Sequence, residues 1–222
     1  AIAKLLLNEL NIDVRSGICE IDGVKADNFN FENARNSEIF ALDSNVEDAQ
    51  KNAILKAKNS HNSVGGVALI NVKNCPVGLG EPIYHKLDAQ IANAMMSINA
   101  VKAVEIGDGI LASRVLGFDN NDQIRKSGFK TNHSGGILGG ISNGDDINVK
   151  VYFKATPSIF IEQETVDIYG NEVECKLKGR HDPCVAIRGS VVAESMISLV
   201  IADMLLLNMS SKVENIKKVY AK

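Results

Sequence analysis

The run from Arg180 to Leu207, RHDPCVAIRGSVVAESMISLVIADMLLL, constrains this chain more than any other stretch. From Pro183 to about Leu207 it reads as one long helix. Its apolar core, Val191 to Leu207, is interrupted by Glu194 and Asp203. Two acidic residues at that depth argue against a bilayer span and for a helix buried in a protein core. The helix opens on a cation, an imidazole and a carboxylate: Arg180, His181 and Asp182. A proline is tolerated in the first helical turn, so Pro183 places Asp182 at the N-cap, where a carboxylate accepts backbone N–H bonds and meets the positive helix end. A cap alone is structural. Arg180 and His181 gain nothing from that dipole, and an anionic ligand at the helix end accounts for all three residues.

Length and composition set bounds around this helix. A chain of 222 residues can bury a sizeable core. Hydrophobic content of 45% with 23% charged residues fits a globular protein, and a formal charge of −3 supports neither a nucleic-acid nor a membrane-surface role. Cys19, Cys75, Cys175 and Cys184 form no C-x-x-C pair and have no histidine at zinc spacing, so neither a metal site nor a disulfide framework is expected. The thiols and the lack of a leader point to a cytoplasmic protein. The opening AIAKLLLNEL reads as mid-helix without a cap, as though the chain were cut inside an element.

Periodicity predicts a short amphipathic helix over residues 1–11 and extended structure from Asp13 to Val24 closing on Asp22-Gly23. A polar loop with a helical piece follows over Asp27–Ser44. Ser44 should cap a helix running to about His61, with Ala49, Ala53, Ile54 and Ala57 on its buried face. VALINVKN after Gly65-Gly66 reads as an alternating strand, Leu87–Ile98 as a helix, and VKAVEIGDG as a strand ending in a Gly-Asp-Gly turn. Phe118–Thr131 is charged and aperiodic, a candidate lid. Strands are expected over Ile147–Lys154, around Val166–Tyr169 and over Glu174–Leu177. Hairpins and helices without regular β-α-β spacing give an α+β class, taken as a single domain over residues 1–222.

Four segments offer chemistry. Gly135–Gly140, preceded by His133 and Ser134, lets backbone approach a ligand closely, although a tight β-turn reads equally well. Lys154-Ala155-Thr156-Pro157-Ser158 places a lysine, two hydroxyls and free N–H groups at a strand end, suited to a phosphate or simply to solvent. Asn99-Ala100 is by itself a helix C-cap. The Arg180 guanidinium can pair with phosphate or carboxylate in two-point fashion. Arg188 and Glu194, six positions apart on one helix, cannot pair with each other and read as structural. His61 and His85 read as helix-end residues.

RHDPCVAIRGSVVAES, DAQIANAMMSINAVKAVEIGDG and NHSGGILGGISNGDDI together resemble, in order, the motifs of chorismate synthases. The resemblance implies an α+β sandwich, helices between two antiparallel sheets, assembled as a homotetramer. It implies anti-1,4-elimination of phosphate from 5-enolpyruvylshikimate 3-phosphate to give chorismate, with reduced FMN required and NADPH as a candidate reductant. By residue it marks Asn99, Ala100, Gly139, the run Lys154, Ala155, Thr156, Pro157 and Ser158, and Arg180 as flavin contacts. Asp182 matches the catalytic aspartate, held to relay a proton, while Arg180 and His133 are candidates for substrate binding. One departure is clear: Ala155 stands where the family has proline, and the proline has moved to 157. Two family motifs, a Gly-Glu-Ser-His-Gly segment and a second histidine with its arginines, do not occur. The resemblance is therefore to a C-terminal portion, truncated at the N-terminus. It leaves two readings: the enzyme, or a flavin-binding and assembly fragment that is inactive alone.

Overall fold

The computed structural model describes residues 2–177 and 179–221. Ala1, which opens the first expected helix, and Lys222, in the lysine-rich end, lie outside them. Helix α1 (Ile2–Glu9) leads into β1 (Asp13–Ile21), and Asp22-Gly23 turns the chain into β2 (Val24–Lys25). A short α2 (Phe31–Asn36) and a longer α3 (Ser44–Asn59) precede β3 (Gly66–Lys73). Then come α4 (Leu87–Met96), β4 (Val101–Ile106), a 3-10 turn over Gly109–Arg114 and a one-turn α5 (Gly117–Asn120). Two small hairpins follow, β5 (Ile124–Arg125) with β6 (Gly128–Phe129), and β7 (Ile137–Leu138) with β8 (Ile141–Ser142). Strand β9 (Ile147–Phe153), the hairpin β10 (Gln163–Val166) and β11 (Glu172–Cys175), and helices α6 (Ala186–Met209) and α7 (Val213–Tyr220) complete the chain.

One five-stranded antiparallel sheet, in the order β2-β1-β3-β9-β4, holds these pieces in place. Alternation decides which side chains meet the helices. On β9, Ile147, Val149, Val151 and Phe153 join the main core with α1, α4 and α6, whereas Tyr152 packs on the other face with Cys19, Val67 and Leu69. The α+β class holds; among the described residues the helical layer lies against this single sheet. Helix α6 packs Ala186, Ala193, Ile197 and Ile201 on the sheet and leaves Val192, Leu199 and Leu206 exposed. By length and composition α6 could cross a membrane. Its sheet-facing residues show it instead as a core helix, as its acidic interruptions suggest.

Several local expectations give way. Helix α3 is capped by Asp43, not Ser44: the Asp43 carboxylate accepts from Asn45 N–H at 3.0 Å and from Asp27 and Asn28 N–H at 3.1 and 3.0 Å. Its buried face carries Gln50, whose amide donates to the Val24 carbonyl at 3.1 Å, while Ala49 is exposed. Strand β3 does not alternate, because β1 and β9 flank it and both faces are covered; its first seven residues are all buried. The strand expected around Val166–Tyr169 sits earlier, at Gln163–Val166. Asp167 forms a turn by accepting from Tyr169 and Asn171 N–H at 2.8 and 2.9 Å. Its partner strand moves with it, from Glu174–Leu177 to Glu172–Cys175. Phe118–Thr131 is mostly exposed but contains α5 and the β5–β6 hairpin.

Candidate functional site

The Lys154 backbone N–H donates to the Ala100 carbonyl at 2.9 Å, joining the end of β9 to the start of β4. Ala100 itself has φ +71°, a left-handed conformation that turns the chain from α4 into β4 and leaves Asn99 at the surface. Beside this junction lies a cleft of about 370 Å³ lined by Ser97, Ile98, Asn99, Phe153, Val185, Arg188, Gly189, Val192 and Met196. Its walls are mainly apolar, and Arg188 supplies the cation. The region thus unites Asn99, Ala100 and Lys154.

Asp182 does not cap α6. The helix begins at Ala186 with Val185 as its boundary residue and no side-chain cap. The intervening turn buries Cys184, whose thiol is pushed up by burial although the Ala186 and Ile187 N–H groups point at it. Asp182 instead pairs with Arg188, Oδ2 to Nη1 at 3.3 Å. The expected Arg188–Glu194 separation holds: Glu194 turns the other way, to Lys4 of α1 at 2.5 Å.

Residues 156–160 and 181–183 are held together through the segment before β3. Ser63 Oγ donates to the Thr156 carbonyl at 2.6 Å and Val64 N–H to the Pro183 carbonyl at 2.8 Å. Phe160 stacks near His181, centroids 5.5 Å apart. The Thr156 hydroxyl and His181 Nε2 are buried without a hydrogen-bond partner. Lys154, Ala155, Pro157 and Arg180 are exposed.

Gly139 and His133 lie elsewhere. The Gly140 carbonyl accepts from Leu87 N–H at 2.7 Å, so the glycine hairpin sits at the start of α4, whereas Asn99 follows its end. Ten helical residues separate the two by roughly 15 Å. Most of the glycine density is structural: a Cβ on Gly135 would fall 2.3 Å from the Gly107 nitrogen, where two loops cross. Gly139, at φ +61°, is the one whose added Cβ would meet nothing within 4 Å. His133 Nδ1 lies 2.6 Å from Asp108 Oδ2, and its backbone N–H donates to Asp122 at 2.7 Å. Burial pushes the Asp122 carboxyl up, but the Ser134 and His133 N–H groups and the Thr131 hydroxyl outweigh it and hold it below its ordinary value. Sequence reasoning missed Asp108 and Asp122, which stand 25 and 11 positions from the histidine they hold.

A model of the chorismate synthase family matches residues 1–206. The chain belongs to the chorismate synthase family. It is 82% identical over all 222 residues to the chorismate synthase of Aliarcobacter butzleri, and 63% identical to that of Sulfurimonas denitrificans. In both cases it spans 62% of the relative's length. A crystal structure of a chorismate synthase superposes with a TM-score of 0.78 at 29% identity, over 98% of this chain and 64% of that one. Helix α7 lies beyond the part matched by the chorismate synthase family model but within the part shared with the Aliarcobacter protein.

Proposed function

We propose that the protein to which this chain belongs acts as a chorismate synthase, eliminating phosphate from 5-enolpyruvylshikimate 3-phosphate, and that this chain contributes much of its flavin pocket. The observation that carries the reading is the Lys154–Ala100 bond, which joins two sequence-distant flavin motifs beside one cleft. The residues fit the group: the orphaned Thr156 hydroxyl supplies a polar partner, and the backbone at Gly139 is open to close approach. Asn99, Ala100, Gly139, the run Lys154, Ala155, Thr156, Pro157 and Ser158, and the Arg180 guanidinium would hold the flavin. Without the usual proline, Ala155 leaves its own N–H free to donate.

Reduced FMN, when bound, supplies electron density to the substrate as phosphate leaves. The chain's own residues position and neutralise. Arg180 pairs with an anionic oxygen, Asp182 takes up and passes on a proton at its carboxylate, and the apolar wall of Phe153, Val192 and Met196 excludes water. His133, oriented by Asp108, is assigned to the substrate. The reading includes a single domain over residues 1–222, a cytoplasmic homotetramer, and NADPH or an external donor as the source of electrons.

Titrating the purified chain with oxidised FMN, with and without 5-enolpyruvylshikimate 3-phosphate, tests it through flavin fluorescence. Saturable quenching that tightens with substrate supports the pocket. No binding up to high micromolar FMN removes this chain as its holder.

A further inference from the structure

Arg188 read as structural in the sequence, yet it stands at the mouth of the cleft that contains Asn99 and holds the carboxylate of Asp182. Its position is fixed from beneath. Gly189 is buried on α6, and a Cβ there would lie 2.4 Å from the Phe153 ring, so the helix and the end of β9 are in direct contact at this point. The next side chain, Arg188, therefore projects from a rigid floor. It is 68% exposed and its partner 36%, at 3.3 Å. A half-exposed pair of this length is weak and readily exchanged for a better anion. A guanidinium has five donors, enough to keep one carboxylate while receiving a second anionic group, or to change partner altogether.

We infer that Arg188 is a positioning residue of the site: it holds Asp182 and receives the phosphate or carboxylate of a ligand whose apolar body enters the Asn99–Phe153–Met196 cleft. This rests on the proposed reading for the identity of the ligand but not for the pairing itself. Among the described residues, Arg188 is the charged side chain that lines the cleft and the charged partner of Asp182, and the segment after α4 contributes the uncharged Ser97 and Asn99.

The test compares the wild-type chain with Arg188→Gln and Arg188→Lys. Carboxyl-carbon NMR at one fixed neutral pH follows the Asp182 signal, and binding is measured for FMN, for riboflavin and for 5-enolpyruvylshikimate 3-phosphate. The expected result is that Arg188→Gln displaces the Asp182 carboxyl signal and weakens one anionic ligand by tenfold or more, while Arg188→Lys restores most of both. Weakening confined to FMN, with riboflavin unchanged, assigns the anion to the flavin phosphate; weakening confined to the substrate assigns it there. An unmoved Asp182 carboxyl signal, or all ligands within twofold of wild type, overturns the inference. Failure of the wild-type chain to bind FMN while the Asp182 carboxyl signal still depends on Arg188 sinks the flavin reading and leaves the pairing standing.

Discussion

The Phe153 ring occupies the volume that any side chain at Gly189 would need, with 2.4 Å between its Cε1 and a Cβ built there. Helix α6 and strand β9 meet at that point without a spacer. Gly189→Ala therefore overpacks the junction, at a cost of about 1–3 kcal/mol. For a chain of this size the melting temperature should fall by several degrees. Phe153→Leu combined with Gly189→Ala should lose less than the sum of the two single changes, since they share one contact. Additive losses in that thermal cycle would show that the two residues do not compete for space.

Ala100 sits at φ +71° while its carbonyl accepts the Lys154 N–H. A β-branched residue is strained in that conformation. Ala100→Val should cost roughly 1–3 kcal/mol and loosen the end of β9, seen as faster hydrogen exchange at the Lys154 amide. Ala100→Gly should be tolerated, and an equal response to both would show that the backbone conformation is not the cause.

What the sequence made legible was set by how local each cause is. Strand β9 and helix α6 announce themselves because apolar periodicity is a property of neighbouring residues. The turn at Asp167 overrode the β-favouring Val-Asp-Ile-Tyr because one carboxylate captures two backbone N–H groups there, a matter of geometry rather than composition. The full burial of β3 was invisible because it depends on distant segments covering both faces, the main core over Ala68, Ile70 and Val72 and Phe31, Ala34 and Leu42 over Val67 and Leu69. Among the proposed site residues, Asn99 was marked by resemblance alone, and Lys154 and Asp182 by their own chemistry together with it. The N-cap role of Asp182 failed because the buried Cys184 and its turn stand between it and α6, and that same turn brings Arg188 within reach.

The Asp43 carboxyl is held below its ordinary value by N–H bonds from Asn45, Asn28 and Asp27, which outweigh its desolvation. A carboxylate whose folded value is depressed contributes stability above its unfolded value, lost as pH falls through the folded one. Asp43→Ala should lower the melting temperature at neutral pH, and the gap from wild type should close as the medium becomes strongly acidic. A gap that is constant with pH would mean that the lost interaction is not ionic.

Three of the four thiols are buried. Burial pushes Cys19 up to about 12 and Cys75 to about 11, and raises Cys184 as well, whereas Cys175 is exposed on β11. Maleimide at pH 7.5 should modify Cys175 rapidly in the folded chain and the other three only after denaturant is added. Intact mass against time gives the count, and a second fast thiol would contradict the buried placement.

The hairpin β10–β11 leaves the body of the protein just after Phe160 and returns just before His181, whose rings lie 5.5 Å apart. An excursion that starts and finishes at one place behaves as an insertion, because its ends stay fixed whatever happens at its tip. Relatives can therefore lengthen, shorten or rewrite this arm without moving Lys154–Ser158 relative to Arg180 and Asp182. A protease cut at its tip should likewise leave the two halves of the proposed pocket in register.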